Sequence, residues 1–481
     1  MARLTFRLAI ALSLSSCTDT SSSSTDDGAD EIGGEEVGSG GSEAATTMTT
    51  TSADETGGSE SGGVAMRPDW VHDVAPLVTA HCNGCHADGG IAPFALADYA
   101  TASQWAPSIA QQVEQRIMPP WHAVETDECD PPLPFLHDAR LSDEQIQMLV
   151  DWNDLGAPEG DPADAAPLPE PPSLDLADPN TTVAMGGSVE VTATATQRDF
   201  FHCLSFDPGN DTDVYVDGLQ VIPGNRAIVH HVLIFVDTEA ESAGWPGGVQ
   251  ENCGGGSGVG GATLIGGWVP GSLPIEMPDG VGVQLPAGAR LVFNMHYHSA
   301  SAEPQTDDAT AIALRWSTTL PQWIGSFQLI GAPGGGDIVD PPFQIPAGAT
   351  GHQEVVRLVV PDLGLPEVRV FSVANHMHKV GVDMRTTLTH DGAETCMVQT
   401  PRWDFDWQRL YRYDAPVEEL PVVEVGDIVE VRCTYDNTLD NSALVEALGE
   451  LGVEEPQDVS LGEGTLDEMC LAGVGFAVRA F

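Results

Sequence analysis

The sequence is short of positive charge. Its 481 residues carry 18 Lys plus Arg against 72 Asp plus Glu, a formal net charge of −54. That balance excludes nucleic acid as a partner, because phosphate binding needs clustered cations. The acidity suits an exported, well-solvated protein and carries no information about fold. Long apolar runs are also missing. The one candidate, within MARLTFRLAIALSLSSC at the N-terminus, is too short to span a bilayer as a mature helix. Gly-x-Ser-x-Gly is absent as well, which leaves Ser-His-Asp hydrolysis without its usual nucleophile elbow. No aromatic residue falls between positions 18 and 66, a stretch built almost wholly from Ser, Thr, Gly, Asp, Glu and Ala. Such a segment cannot bury enough surface to order itself, and a flexible stalk is expected.

What is present divides the chain clearly. Two arginines, a short apolar run and Leu14-Ser15-Ser16-Cys17 are similar to a bacterial signal peptide ending in a lipobox. Residues 1–17 are therefore expected to direct export, with Cys17 lipidated and the protein anchored to the membrane of the bacterial cell envelope, in the periplasm or on the outer-membrane surface. Residues 67–160 are helical in pattern: VHDVAPLVTAHCNGCH, ADYATASQWAPSIAQQVEQRI and SDEQIQMLVDWNDLG place apolar residues at three- and four-residue steps. Ser142 with Gln145 predicts a capping box. Residues 161–172 are Pro/Ala-rich and acidic, a linker. Beyond them the period becomes two, in SVEVTATA, AIVHHVLIFV, ARLVFNMHYH, TAIALRW, EVVRLVV, EVRVFSVANHMH, MRTTLTH and DIVEVRCTY. This region is too long for one sandwich, and it is internally repetitive: QLPAGARLVFNMHYH is echoed by QIPAGATGHQ with EVGDIVEVRCTY. The expected fold is a small all-α domain followed by two all-β sandwiches, residues 173–320 and 321–481.

Cys82-Asn83-Gly84-Cys85-His86 is the signature for covalent attachment of haem c. The thiols of Cys82 and Cys85 would bond the porphyrin vinyls, and His86 would bind the iron. Met118 in RIMPPW is the expected distal ligand, with His122 or His81 as alternatives. The stretch from Ile91 to His122 resembles a bacterial cytochrome c module found fused to other enzymes. Six of the fourteen histidines fall in three tight groups: His230 with His231, His296 with His298, and His376 with His378. Residues two apart on a strand face the same way, so His376 and His378 can chelate one ion. Adjacent His230 and His231 point to opposite faces of an ideal strand, and joint ligation needs a bulge or a strand end that the sequence does not display. Imidazole clusters without thiolate or carboxylate pairs suit copper or zinc. Of the nine cysteines, Cys129, Cys203, Cys253, Cys396, Cys433 and Cys470 remain, and an oxidising compartment favours disulfides among them. Sequence alone allows fifteen connectivities.

Taken in order, AIVHHVLIF, LVFNMHYH, VANHMH and LDEMC resemble the copper type II, ascorbate-dependent monooxygenases over roughly residues 170–481. The resemblance implies two jelly-roll-like β-sandwiches, each carrying one copper, facing each other across a solvent-filled cleft. It makes His230, His231 and His296 ligands of an electron-transferring copper. His376, His378 and the thioether of Met469 would hold the catalytic one. His298 has no family counterpart and is expected to be a solvated histidine, with a spare ligand as the alternative. The resemblance also pairs Cys203 with Cys253 and Cys433 with Cys470, leaving Cys129 and Cys396 unassigned. One departure stands out. The peptide-amidating branch grips its substrate carboxylate with an arginine, an asparagine and a tyrosine where this chain has Ala374, Leu471 and Gly473. The expected substrate is thus a small or apolar organic molecule. The other partners would be O2 and an external electron donor, either an ascorbate-like reductant or a redox protein. Electrons would pass from haem c to the His230/His231/His296 copper and then to the other copper. The alternatives are a redox-carrier or copper-binding lipoprotein without turnover, and a β-sandwich adhesion protein with structural zinc.

Overall fold

The computed structural model describes residues 67–480 apart from 89, 195–196, 300 and 333–335. The expected signal peptide, Cys17 and the stalk lie outside the described residues. No helix among the described residues is long and apolar enough to cross a membrane.

Three helices form the N-terminal part: α1 (Ala75–His81), α2 (Tyr99–Glu114) and α3 (Asp143–Asp154). Asp98 caps α2 by accepting from the Thr101 N–H, and Ser142 with Gln145 forms the expected capping box on α3. Trp70, Val78, Ala106, Leu149 and Trp152 gather into a core separate from that of the strands.

The remainder is β. In chain order the principal strands of the first half are β1 (Thr181–Ala184), β2 (Asp199–Phe206), β3 (Val214–Ile222), β4 (Val229–Asp237), β5 (Thr263–Trp268), β6 (Val281–Leu285), β7 (Arg290–His298) and β8 (Ala311–Ser317). The second half has β9 (Trp323–Ile330), β10 (Thr350–Val359), β11 (Val368–His376), β12 (Gly381–His390), β13 (Ala393–Thr400), β14 (Leu410–Arg412), β15 (Ile428–Asp436) and β16 (Leu471–Arg479). Helix α4 (Ser442–Leu451) interrupts the second half between β15 and β16. Strict alternation of burial along β15 is the period-two signature of a strand with one face in a core.

The two halves are not separate sheets. One long sheet runs β1-β8-β3-β6-β9-β16-β11-β14. It crosses the expected boundary where β9 pairs in parallel with β6, Trp323 beside Val281 and Ile324 beside Gly282. A second sheet, β2-β7-β4-β5, belongs to the first half, and a third, β10-β15-β12-β13, to the second.

The helical part is also joined to the sandwiches differently from the sequence expectation. Residues 161–172 are largely exposed and irregular, as a linker should be. The attachment is made earlier, by residues 121–139. Trp121, Ala123 and Phe135 belong to the sandwich core. Leu136 N–H donates to Arg412 O (2.7 Å), Val124 N–H donates to Gln399 O (3.3 Å), and Phe135 stacks on Tyr413. Cys129 and Cys396, left unassigned by sequence, form a disulfide across this contact. Residues 121–139 thus leave the helical packing unit, because their apolar side chains are buried by the second sandwich, and the chain returns to the helical core at Leu141 and α3. Closing a loop of 267 residues restricts the unfolded chain strongly. Replacing both cysteines with alanine is expected to cost about 3–4 kcal/mol in denaturant unfolding, with residues 121–139 becoming the first site of limited proteolysis.

Candidate metal centres

The adjacent pair His230 and His231 lies at the start of β4, and the needed irregularity is there. On β7, His296 is opposite His231 but Tyr297 is opposite Val229, so His230 is the extra residue of a β-bulge. The bulge turns both imidazoles to one side. His231 Nδ1 lies 3.2 Å from His230 Nδ1 and 3.2 Å from His296 Nδ1, and the three ligand atoms fall within 4.8 Å of one another. Two nitrogens sharing an ion at about 2 Å sit on the order of 3.3 Å apart, so the donor set fits one metal ion.

Asp199 supports this group. It stands opposite His298 on β2, and its Oδ1 lies 2.9 Å from His296 Nε2 and 2.9 Å from His298 Nδ1. The carboxylate fixes Nε2 of His296 as the protonated nitrogen and leaves Nδ1 free for a metal. Burial works to raise the Asp199 carboxyl, but hydrogen bonds from His296, His298 and Thr465 outweigh it and hold the group well below the usual carboxylate range. His298 is therefore not a solvated histidine: it shares Asp199 and lies 3.7 Å from Glu450. Burial lowers His231 well below its ordinary value and brings His296 to about 4. Both are neutral, as ligands must be.

His376 ends β11, and His378 follows in the turn to β12. Each has its Nδ1–H donated to a carbonyl oxygen, Gln408 Oε1 at 2.7 Å for His376 and Asp467 O at 2.9 Å for His378. Both Nε2 atoms are thereby the free ligand atoms. Burial lowers these imidazoles to about 4 and about 3. Met469 lies in the segment leading into β16, and the structure holds that segment tightly. The fully buried Glu468 accepts four backbone N–H groups: His378 (2.8 Å) and Met469 (3.0 Å) on one oxygen, Val380 (2.8 Å) and Gly381 (3.1 Å) on the other. Burial nonetheless pushes its carboxyl up to about 7. Cys433–Cys470 and Cys203–Cys253 are both bonded, and the Tyr435 hydroxyl donates to Met469 O (2.8 Å). Glu468 fastens the histidine turn to the methionine segment.

The implied solvent-filled cleft is not what the structure holds. The His231 and His376 rings are 5.9 Å apart between centroids. Phe405 stacks on His230 at 4.6 Å and meets His378 edge-on at 5.6 Å. Contacts across the halves keep them together: Thr465 Oγ1 donates to Asp199, Gly255 N–H donates to Glu463 (2.9 Å), and Arg198 donates to Glu450 O (2.7 Å). Sequence reading missed Asp199, Phe405, Gln408, Thr465 and Glu468. Only Glu468, a charged residue inside the LDEMC motif, carried a local signal.

In the helical part, Cys82 and Cys85 are the free cysteines among the described residues. Burial pushes the Cys82 thiol up to about 12. His86 Nδ1–H donates to Phe94 O (3.0 Å), leaving Nε2 free. Met118 lines a cavity of about 310 Å³ with Val113, Leu141 and Ile146 and with the side chains of Arg116, Arg140 and Arg402. Of the alternatives, His122 is buried beside Arg402 and Arg409 of the sandwich, and His81 lies 3.5 Å from Gln145. Two free thiols and the open Nε2 of His86 are the groups that a covalently held haem would use.

Taken together, these features describe a β-sandwich protein with a three-histidine group able to hold a metal ion and a second buried histidine pair adjoining it. Residues 345–477 match the family model described as copper type II ascorbate-dependent monooxygenase, C-terminal domain, and relatives extend the likeness beyond that segment. Dopamine beta-hydroxylase of Bos taurus is 23% identical over 266 residues, 52% of this chain and 39% of the relative. DBH-like monooxygenase protein 2 of Mus musculus is 24% identical over 265 residues, 52% and 38%. The chain spans about two fifths of the length of the curated relatives it matches. Residues 345–477 are thus similar to the C-terminal domain of copper type II monooxygenases, and the longer likeness to the hydroxylases stays below one residue in four. The major capsid protein P2 of bacteriophage PM2 covers 63% of this chain and 98% of its own at TM-score 0.25 and 12% identity, too low a score to carry any assignment.

Two outcomes are expected. Asp199→Asn should weaken copper binding at the three-histidine group by about 10–100-fold, measured by competition with a chelator, while the His376/His378 pair keeps its affinity. Glu468→Gln puts an amide donor against backbone donors and should cost about 3 kcal/mol in thermal or denaturant unfolding. It should also selectively release metal from the His376/His378 pair, read by copper stoichiometry.

Proposed function

We propose that the protein is a copper-dependent monooxygenase that hydroxylates a C–H bond: R–H + O2 + 2e⁻ + 2H⁺ → R–OH + H2O. The observation that carries the reading is the pair of imidazole sites 5.9 Å apart ring to ring, one of them inside the segment that matches the copper family. Bound copper would supply the one-electron chemistry needed to reduce dioxygen. His230, His231 and His296 would hold one ion through Nδ1, and His376, His378 and Met469 the other through two Nε2 atoms and a thioether, a soft donor that favours the reduced metal. Asp199 and Glu468 keep those ligands in place. Cys82, Cys85, His86 and Met118 would hold a haem c, which would supply one-electron chemistry with an external donor. We read the chain as exported and anchored to the cell envelope through Cys17.

The residues around His376 support an apolar substrate. His376 and Ala374 share a face of β11. Leu471 is opposite His376 and Gly473 opposite Ala374 on β16. Leu329 on β9 and Leu410 on β14 extend the row on either side. A Cβ at Gly473 would meet Ala374 Cβ at 3.6 Å and Leu329 Cδ2 at 3.8 Å. This row beside the metal-ligating histidine is thus small and apolar, while Arg409 and Arg412 line the neighbouring pocket with Leu410 and Ser372. The Trp403–Gln408 loop, with Phe405 between the sites, excludes water and must give way to admit substrate.

The test is oxygen-isotope transfer. The copper- and haem-loaded chain is given ascorbate, 18O2 and a panel of apolar substrates, and products are examined by mass spectrometry. One 18O atom should enter product, and His376→Ala should abolish this. Copper-dependent oxygen uptake with no labelled product from any substrate would favour a carrier without turnover.

A further inference from the structure

Resting on the monooxygenase reading above, we propose that the substrate carries a carboxylate head group, received by Arg409, Arg412 and Ser372 in a pocket at the far end of the row that begins at His376. The substrate is then an amphiphile, apolar where it reacts and anionic where it is held.

The strands lay out the row. On β11, His376, Ala374 and Ser372 follow at two-residue steps and share one face. Opposite them on β16 stand Leu471, Gly473 and Gly475. On β14, Leu410 is opposite Ala374 and Arg412 opposite Ser372. Ser372 Oγ lies over Gly475, in space that a Cβ there would overlap. His376, Ala374, Gly473 and Leu410 are all partly open to solvent. Four residues of strand separate His376 from Ser372, a span of about 13 Å. Leu410 and Ser372 lead from the row into a pocket of about 80 Å³, which Trp121, Leu273 and Phe371 also line.

Charge is what marks the pocket. The chain has 72 carboxylates for 18 Lys plus Arg, yet among the described residues neither guanidinium here has a carboxylate within ion-pair distance. Arg409 lies 5.3 Å from the centroid of the Trp121 ring and makes no hydrogen bond through its guanidinium. Arg412 donates to Glu276 O at 2.6 Å, and its Nε is buried without a partner. The Ser372 hydroxyl is fully buried and likewise unpartnered. Nearby carboxylates are engaged elsewhere: Glu276 by Arg315 at 3.3 Å, and Asp138 by Arg140 at 2.8 Å. Burial works against the charge of both guanidinium groups. Holding cations there without counter-charge is costly, and a bound carboxylate offers acceptors to all three side chains in the planar geometry that arginine favours. None of the three stands at positions 374, 471 or 473, which carry the grip of the peptide-amidating branch.

A haem propionate offers the same chemistry, and Trp121 borders both this pocket and the cavity beside Met118. The experiment therefore uses the full-length, copper-loaded chain in two forms, one with haem and one as Cys82→Ala/Cys85→Ala. Hexanoate, octanoate, decanoate and dodecanoate are titrated calorimetrically, each beside its neutral amide. The acid should bind about 10–100-fold more tightly than the amide of equal length in both forms. Arg409→Met/Arg412→Met should bring that ratio close to unity, and Arg409→Lys should retain part of it. Equal binding of acid and amide by the unaltered chain overturns the proposal even if the double variant does not fold. A preference confined to the haem-free form, with the haem bands shifted in Arg409→Met, gives the pocket to a propionate and also overturns it. 18O incorporation into neutral substrates, with no preference for acids, leaves the monooxygenase reading standing without this site. An acid preference that vanishes in the double variant, with no labelled product from any acid or neutral substrate, sustains the anion site and removes turnover instead.

Discussion

The buried carboxylate of Glu468 is the constraint on which the candidate catalytic region depends. A charge taken out of water is costly unless its oxygens are satisfied, and here four backbone N–H groups do so at once. Two of them belong to the turn after His378, one to His378 itself and one to Met469. A single side chain thus sets the spacing between the His-x-His strand end and the methionine segment, two pieces of chain about ninety residues apart. The neighbouring disulfide Cys433–Cys470 holds the same segment from its other side.

A second carboxylate, Asp199, does comparable work between the halves. It orients His296, occupies His298 and takes the Thr465 hydroxyl. Thr465 lies four residues before Met469, so the first metal group and the methionine segment of the second share one anchor. With the Phe405 ring set between the histidines, the two sites form one continuous cluster. Closure of this kind favours short-range electron exchange and exclusion of water. It requires the Trp403–Gln408 loop to move for substrate, and that loop is also the contact with the helical part.

Much of this was legible in the residues. The helices, the capping box at Ser142, the switch to period two and the strands that end in histidine are local patterns, and each is present. Resemblance supplied the Cys203–Cys253 and Cys433–Cys470 pairings. The misses share a cause. The bulge at His230 depends on the register of β4 against β7, which neither strand encodes alone. The Cys129–Cys396 bond and the docking of residues 121–139 depend on which surface of the second sandwich is left to cover. The solvated role expected for His298 ignored a partner, Asp199, that lies 99 residues away in sequence.

By itself, then, the sequence determined the kinds of chemistry available: two thiols and an imidazole at haem-attachment spacing and three histidine groups on strands, in a chain poor in cations. Those follow from side-chain identity and local period. Only the tertiary structure decided that the histidine groups adjoin, that one sheet unites both halves, and that Gln408 holds the His376 imidazole. Such relations arise from long-range strand register and the burial of shared apolar surface, and no window along the chain contains both partners.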